Sequence, residues 1–291
     1  MKRCGFANIR AVLYIGVCLW IAVVVMICCA PGTEAALAEQ EFHVAVADHG
    51  DAADETQSAA AFRVEVIREE QMTSSIHGKK VLIYHTHTYE AYEQVDESTY
   101  KQTERWRTAD HSHNVVAVGK ALAASLTALG FEVVYDTTAF EPPTLDDAYE
   151  RSLTMLERRL KNGEQYDLYI DLHRDAISST STIKRTVNIG GESIARFMVL
   201  VGKGTTGGYE ETPDWERNLQ LAQWITDALN AQYDGLAREV KVKTGRFNQH
   251  IDDCCVLIEC GMNTNLLSEV LAGVPYLAQA IADALEHDDV P

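Results

Sequence analysis

From His77 onward, short apolar runs alternate with longer stretches whose apolar residues recur every three to four positions. Val81-Leu82-Ile83-Tyr84 has strand character. Val115 to Leu129 has helical spacing, and Gly130 stands where a C-cap falls. Phe131 to Tyr135 alternates as a strand, and Leu145 to Leu160 reads as a helix that stops at Asn162-Gly163. Leu168 to Leu172 and Phe197 to Val201 are further strands. Trp215 to Tyr233 is amphipathic, with Asp214 beside Pro213 as its N-cap. Val240 to Val242 predicts a short strand, Val256 to Ile258 a buried one, and Asn265 to Glu286 the last helix. Strands alternating with helices predict an α/β domain, built on a mixed, mostly parallel sheet flanked by helices. Such sheets place their sites at the carboxyl ends of the strands.

The amino-terminal part has a different pattern. Ala11 to Cys29 is a run of about 19 residues without a charge, preceded by Lys2, Arg3 and Arg10. At a rise of about 1.5 Å per residue it spans roughly 28 Å, about the hydrocarbon thickness of a bilayer. It predicts one transmembrane helix with its basic end in the cytoplasm and the rest of the chain exported. A cleaved signal peptide ending near Ala36-Leu37-Ala38 is the alternative, and the length of the run favours an uncleaved anchor. The expected organisation is a cytoplasmic stub and anchor over 1–30, an acidic tether over 31–76, and one catalytic domain over 77–291.

Charge narrows the function. The 291 residues carry 25 Lys+Arg against 43 Asp+Glu, a formal net charge of −18. A nucleic-acid groove needs clustered cations, so no nucleic-acid partner is expected. Cysteine adds little. Cys254, Cys255 and Cys260 are an odd number in the exported part, so no complete disulfide framework can be read.

Candidate chemistry gathers at three strand ends: Tyr84-His85-Thr86-His87-Thr88-Tyr89-Glu90, Asp171-Leu172-His173-Arg174-Asp175 and Ile258-Glu259-Cys260-Gly261. Parallel strands bring these ends to one edge of the sheet. His87 and Glu90 form H-x-x-E, which across a tight turn can face one ion with an imidazole nitrogen and a carboxylate oxygen. His173 would be the third ligand. Two His and one Glu leave a fourth tetrahedral position open for water, the arrangement of a catalytic zinc site. Glu259 then suits the general base. His85 is expected to face away from His87, as a supporting group or a core histidine, with a bend at Thr86 able to exchange their roles. Asp110, just before the helix that begins near Asn114, is the alternative carboxylate ligand, or an acid of the first helical turn. Arg174 is a candidate for holding a substrate carboxylate or the transition-state oxyanion, and it pairs with Asp175 if it instead shapes the loop. Gly202 to Gly208 lacks phosphate-loop spacing and reads as a surface loop.

The segments VLIYHTHTYEAY, DLYIDLHRDA and VLIECGMNTN together resemble the stage II sporulation protein P family, as do Asn114 to Gly119 and Trp215 to Leu219. The resemblance covers roughly His77 to the C-terminus and includes the single amino-terminal anchor. It implies an α/β fold similar to the zinc N-acetylmuramoyl-L-alanine amidases and, more distantly, the zinc carboxypeptidases. It also implies a peptidoglycan hydrolase that cuts the amide between N-acetylmuramic acid and L-Ala, with credit in the family for cutting stem-peptide crosslinks too. Such an enzyme would act at the forespore septum and engulfing membrane, with stage II sporulation proteins D and M as partners. His87, His173 and Glu259 match the amidase histidines and catalytic glutamate; Glu90 or Asp110 would complete the zinc ligands. The competing readings are a zinc carboxypeptidase, marked by an arginine clamp for a free carboxylate, and a non-catalytic wall-binding scaffold.

Overall fold

The computed structural model describes residues 76–205 and 215–287. The expected anchor, nearly all of the tether and the Asp214 cap lie outside the described residues. No helix among the described residues is long and apolar enough to cross a membrane.

Among the described residues, eight strands and four α-helices follow in the order β1 (Lys80–Tyr84), α1 (Val115–Ala128), β2 (Glu132–Tyr135), α2 (Ala148–Lys161), β3 (Leu168–Asp175), β4 (Thr186–Ile189), β5 (Glu192–Ala195), β6 (Phe197–Gly202), α3 (Trp215–Gln232), β7 (Lys241–Lys243), β8 (Cys255–Met262) and α4 (Leu267–Leu285). Six strands form one sheet in the order β2-β1-β3-β8-β6-β7. The first four are parallel, while β6 runs antiparallel to β8 and β7 follows β6. The expected mixed, mostly parallel sheet is therefore present, with β1, β3 and β8 adjacent at its centre.

Alternation along the central strands sorts side chains to two unequal faces. Val81, Ile83, Leu168, Ile170, Leu172, Val256 and Ile258 join a large core with residues of α1, α3 and α4. Leu82, Tyr84, Tyr169 and Cys255 pack with Ala148, Met155 and Leu156 of α2 and with Phe140 in a smaller one. One helix on this second face leaves part of the sheet uncovered. Tyr169, Asp171 and His173 share it, so the polar groups at the end of β3 emerge on the thinly covered side.

Two departures from the expected elements matter for the site. β3 and β8 run past the apolar runs that predict them, to Asp175 and Met262. The two strands pair with each other to these ends, beyond the pairing of β3 with β1 and of β8 with β6. Between the pairs His173↔Glu259 and Asp175↔Met262, β8 carries one more residue than β3. Gly261 sits in this bulge at φ +71, and a Cβ there would meet Val270 Cγ2 at 2.8 Å. Bulges of this kind increase local twist and re-aim side chains. The β4–β5 hairpin has no counterpart in the expected elements; its four-residue strands turn through Gly190-Gly191, both at positive φ.

Candidate active site

The sheet brings three of the predicted residues to one edge. His173 and Glu259 are register partners on adjacent parallel strands, so their side chains leave the same face side by side. His87 comes from the turn after β1, and its ring centroid lies 5.2 Å from that of His173. Residues two apart on a continuing strand share a face, so the expected separation of His85 from His87 does not come from strand persistence. The chain instead turns after His85, and Glu90 N donates to His87 O at 3.4 Å. That turn separates the two histidines and lets Glu90 reach back. Glu90 Oε2 lies 3.4 Å from His173 Nδ1 and accepts from Arg174 N at 3.0 Å.

Each ring also has a carboxylate behind it. Asp171 Oδ1 stands 2.8 Å from His173 Nε2, while its two oxygens accept from Thr86 N and Thr86 Oγ1 at 2.8 and 2.7 Å. Glu141 Oε1 stands 3.2 Å from His87 Nδ1, and Arg107 pairs with the same carboxylate. Neither imidazole nitrogen is aligned for a hydrogen bond with its carboxylate: His87 Nδ1 and His173 Nε2 are buried and without a partner. Tyr149 of α2 walls the site, with its ring 5.4 Å from His87 and 6.4 Å from His173.

The electrostatics follow from crowding charges out of water. Burial opposes ionisation of His173, but Asp171 and Glu90 on its two sides hold its pKa well above the usual histidine range. Burial likewise disfavours the Glu90 carboxylate, and the bond from His173 with the charges of Arg174 and His87 takes its pKa down to about 2. Glu259 is 8% exposed, and burial pushes its carboxyl up to about 7 against the pull of His173, with Glu90 and Asp175 adding to the rise. Its Oε2 is buried without a partner. A carboxyl titrating near neutrality can take up and return a proton.

One pair of these side chains has the spacing of two ligands on a divalent metal. Two ligands of a tetrahedral ion with bonds of about 2.0–2.1 Å stand roughly 3.3 Å apart, and His173 Nδ1 and Glu90 Oε2 are 3.4 Å apart. A carboxylate at the far nitrogen of a ligating histidine is the usual support for such a ring, which is the place Asp171 holds. The atoms meet in pairs rather than as a closed triad. Among the described residues, the one set of three ligand-type atoms mutually within 4.8 Å is Asp252, Asp253 and Cys254, before and at the start of β8. Those groups have local duties: Asp252 Oδ1 accepts from Cys254 N at 2.9 Å, and Asp253 pairs with Arg217.

Other predicted residues go elsewhere. His85 is buried under α1; its Nδ1 donates to Leu172 O at 2.8 Å and its Nε2 meets the Tyr135 hydroxyl at 2.9 Å. Asp110 is exposed and bonded within its own turn, to Ser112 and His113. The Arg174 guanidinium donates to Ala91 O and Trp106 O at 3.0 and 3.1 Å, so it ties down the loop that carries Glu90. Asp175 pairs with Arg238 at 2.7 Å rather than with Arg174. Asp171, Glu141 and Tyr149 are the site residues that the sequence reading passed over. Asp171 had a signal, an acid two positions before His173 in an apolar strand. Glu141 and Tyr149 had none, since a loop and a helix surface bring them in.

Solved structures overlap much of the chain at low identity. The CwlD amidase from Clostridioides difficile, in complex with the GerS lipoprotein, is 14% identical with a TM-score of 0.45, covering 71% of this chain and 96% of its own. The catalytic domain of CwlV, an N-acetylmuramoyl-L-alanine amidase from Bacillus (Paenibacillus) polymyxa var. colistinus, is 15% identical with a TM-score of 0.43, covering 73% and 99%. An N-acetylmuramoyl-L-alanine amidase from Clostridium difficile 630 is 18% identical with a TM-score of 0.43, covering 72% and 95%. No curated protein matches the sequence. The family model for stage II sporulation protein P (SpoIIP) matches residues 30–282, most of the chain and all of the strands that build the site, and the chain belongs to that family.

Proposed function

We propose that this chain is a peptidoglycan hydrolase of sporulation that cuts the amide between N-acetylmuramic acid and the first L-Ala of the stem peptide. The observation that carries the reading is the pairing of His173 with Glu259 across β3 and β8, with Glu90 3.4 Å from the same imidazole. Residues able to ligate a metal beside a carboxyl whose pKa burial raises to about 7 support this reading.

His87, Glu90 and His173 would hold a zinc ion, which when bound polarises the scissile carbonyl and acidifies a water. Glu259 takes that water's proton and returns it to the leaving nitrogen. Asp171 fixes the orientation of His173, and Arg174 positions Glu90 by anchoring its loop at Ala91 and Trp106. Tyr149 closes the α2 side of the site against solvent. The apolar run at 11–29 anchors the enzyme in the membrane with residues 77–291 outside, and stage II sporulation proteins D and M are its partners there.

Mass spectrometry of products from defined muropeptides tests the bond assignment. Release of intact stem peptides with the lactyl carboxyl freed on the sugar is expected, and chelator is expected to stop it. Cleavage confined to bonds within the stem peptide would overturn the assignment in favour of a peptidase.

A further inference from the structure

A cavity of about 430 Å³ opens beside the carboxyl end of β8, lined by Ser181, Thr182, Arg185, Thr264, Asn265 and Glu269 among others. Its polar groups are not all accounted for by the fold. Arg185 Nε and Thr264 Oγ1 are both buried and meet no partner. A buried donor without a partner keeps the cost of its lost hydration. The one acid in the wall is already engaged: Glu269 Oε2 accepts from Leu266 N at 3.0 Å and Asn265 Nδ2 at 2.8 Å, closing the first turn of α4. That helix N-terminus offsets part of the Glu269 charge. A guanidinium fork with hydroxyls around it matches a carboxylate in both charge and geometry.

We propose that Arg185 and Thr264 form a subsite for a carboxylate of the peptidoglycan stem peptide. The proposal rests on the peptidoglycan reading above and adds the feature of the substrate that is recognised. Arg174, whose guanidinium is committed to two loop carbonyls, does not serve this role. The cavity lies just past the carboxyl end of β8, the strand that carries Glu259. Thr264 follows Glu259 by five positions, so the two are at most about 18 Å apart along an extended chain. A peptide rises about 3.3 Å per residue, so a stem of a few residues spans from the scissile amide to the cavity. The fold uses the Arg185 carbonyl, which accepts from Arg196 N at 3.0 Å, and leaves the side chain free to change.

Titration calorimetry of the full-length chain with synthetic stem peptides tests this without any cleavage step. One peptide keeps its carboxylates, a second has all of them as amides, and a third is amidated at its C-terminus alone. The parent is expected to bind the free form about tenfold more tightly than the full amide. Arg185→Gln should bring that ratio to within about twofold while leaving amide binding unchanged, and Thr264→Val should lower it about threefold. Arg185→Lys, which keeps the charge and loses the fork, should fall between. The third peptide separates a terminal from an internal carboxylate. A parent that binds both forms alike, or neither, overturns the subsite, as does an Arg185→Gln chain that keeps the parent's ratio. Failure of the amidase reading shows separately, as absent muropeptide cleavage with the binding ratio intact.

Discussion

His85 and His87 follow the same strand two positions apart, and their surroundings are opposite. His85 is fully buried with both ring nitrogens engaged, and burial lowers its pKa to about 4, so it is neutral. Its niche is tight. A Cβ on Gly119 of α1 would meet His85 Nε2 at 2.6 Å, so only glycine lets the helix lie there. The Tyr135 hydroxyl on its far side also reaches Val116 O at 2.6 Å. His87, past the turn, has a buried nitrogen without a partner beside a second histidine, two carboxylates and a tyrosine. The comparison separates two uses of a polar group. Beneath α1 every donor is spent on holding the fold; at the strand ends the same chemistry is left unspent, which is the condition for binding something else.

Substitutions can break this contrast. The largest effect is expected in the open set. Glu259→Gln and His173→Ala should lower muropeptide cleavage on the order of a thousandfold, with the fold retained by circular dichroism. His173→Ala should also lose metal by elemental analysis, whereas Glu259→Gln should keep it; full activity in either variant would remove these residues from the mechanism. The middle effect belongs to the closed set. His85→Ala should cost about 2–4 kcal/mol in denaturant unfolding, because it strands Leu172 O, takes one of two partners from the Tyr135 hydroxyl and leaves a void. Metal content per folded molecule should not change. An equally stable His85→Ala protein that has lost its metal would reverse the assignment of the two histidines. The smallest effect is expected at Asp110, which is exposed and bonded within its own turn. Asp110→Ala should leave the unfolding midpoint close to the parent's and metal content intact, whereas Glu90→Ala should lose metal.

The sequence carried the strand ends well, because a change from apolar to polar at the end of a buried strand is a local signal. His173 and Glu259 stand on β3 and β8 within such transitions, and parallel order alone brings them to one edge. What it could not carry was direction. The H-x-x-E spacing says nothing of the turn after His85 that parts His85 from His87. The charge on Arg174 says nothing of the carbonyls at Ala91 and Trp106 that occupy it, since those come from a loop more than sixty positions away. Glu141 reaches His87 from beyond β2 for the same reason. Long-range side-chain partners are set by tertiary packing, and no periodicity records them. The β4–β5 hairpin was hidden differently: strands of four residues are too short for their alternation to stand out, although the Gly190-Gly191 pair between them is a turn signal.

The place of β8 in the sheet has a consequence for when the protein becomes able to act. β8 lies between β3 and β6, yet both of those precede it in the chain. Until residues 255–262 have been synthesised, the facing edges of β3 and β6 have no strand between them, and the sheet stays in two pieces. The strand that joins those pieces is also the one that carries Glu259. A nascent or truncated chain that stops short of β8 has neither a finished sheet nor the proposed base, so it cannot be a partly folded but active hydrolase. Completing the fold and arming it are one event, set by the synthesis of residues 255–262.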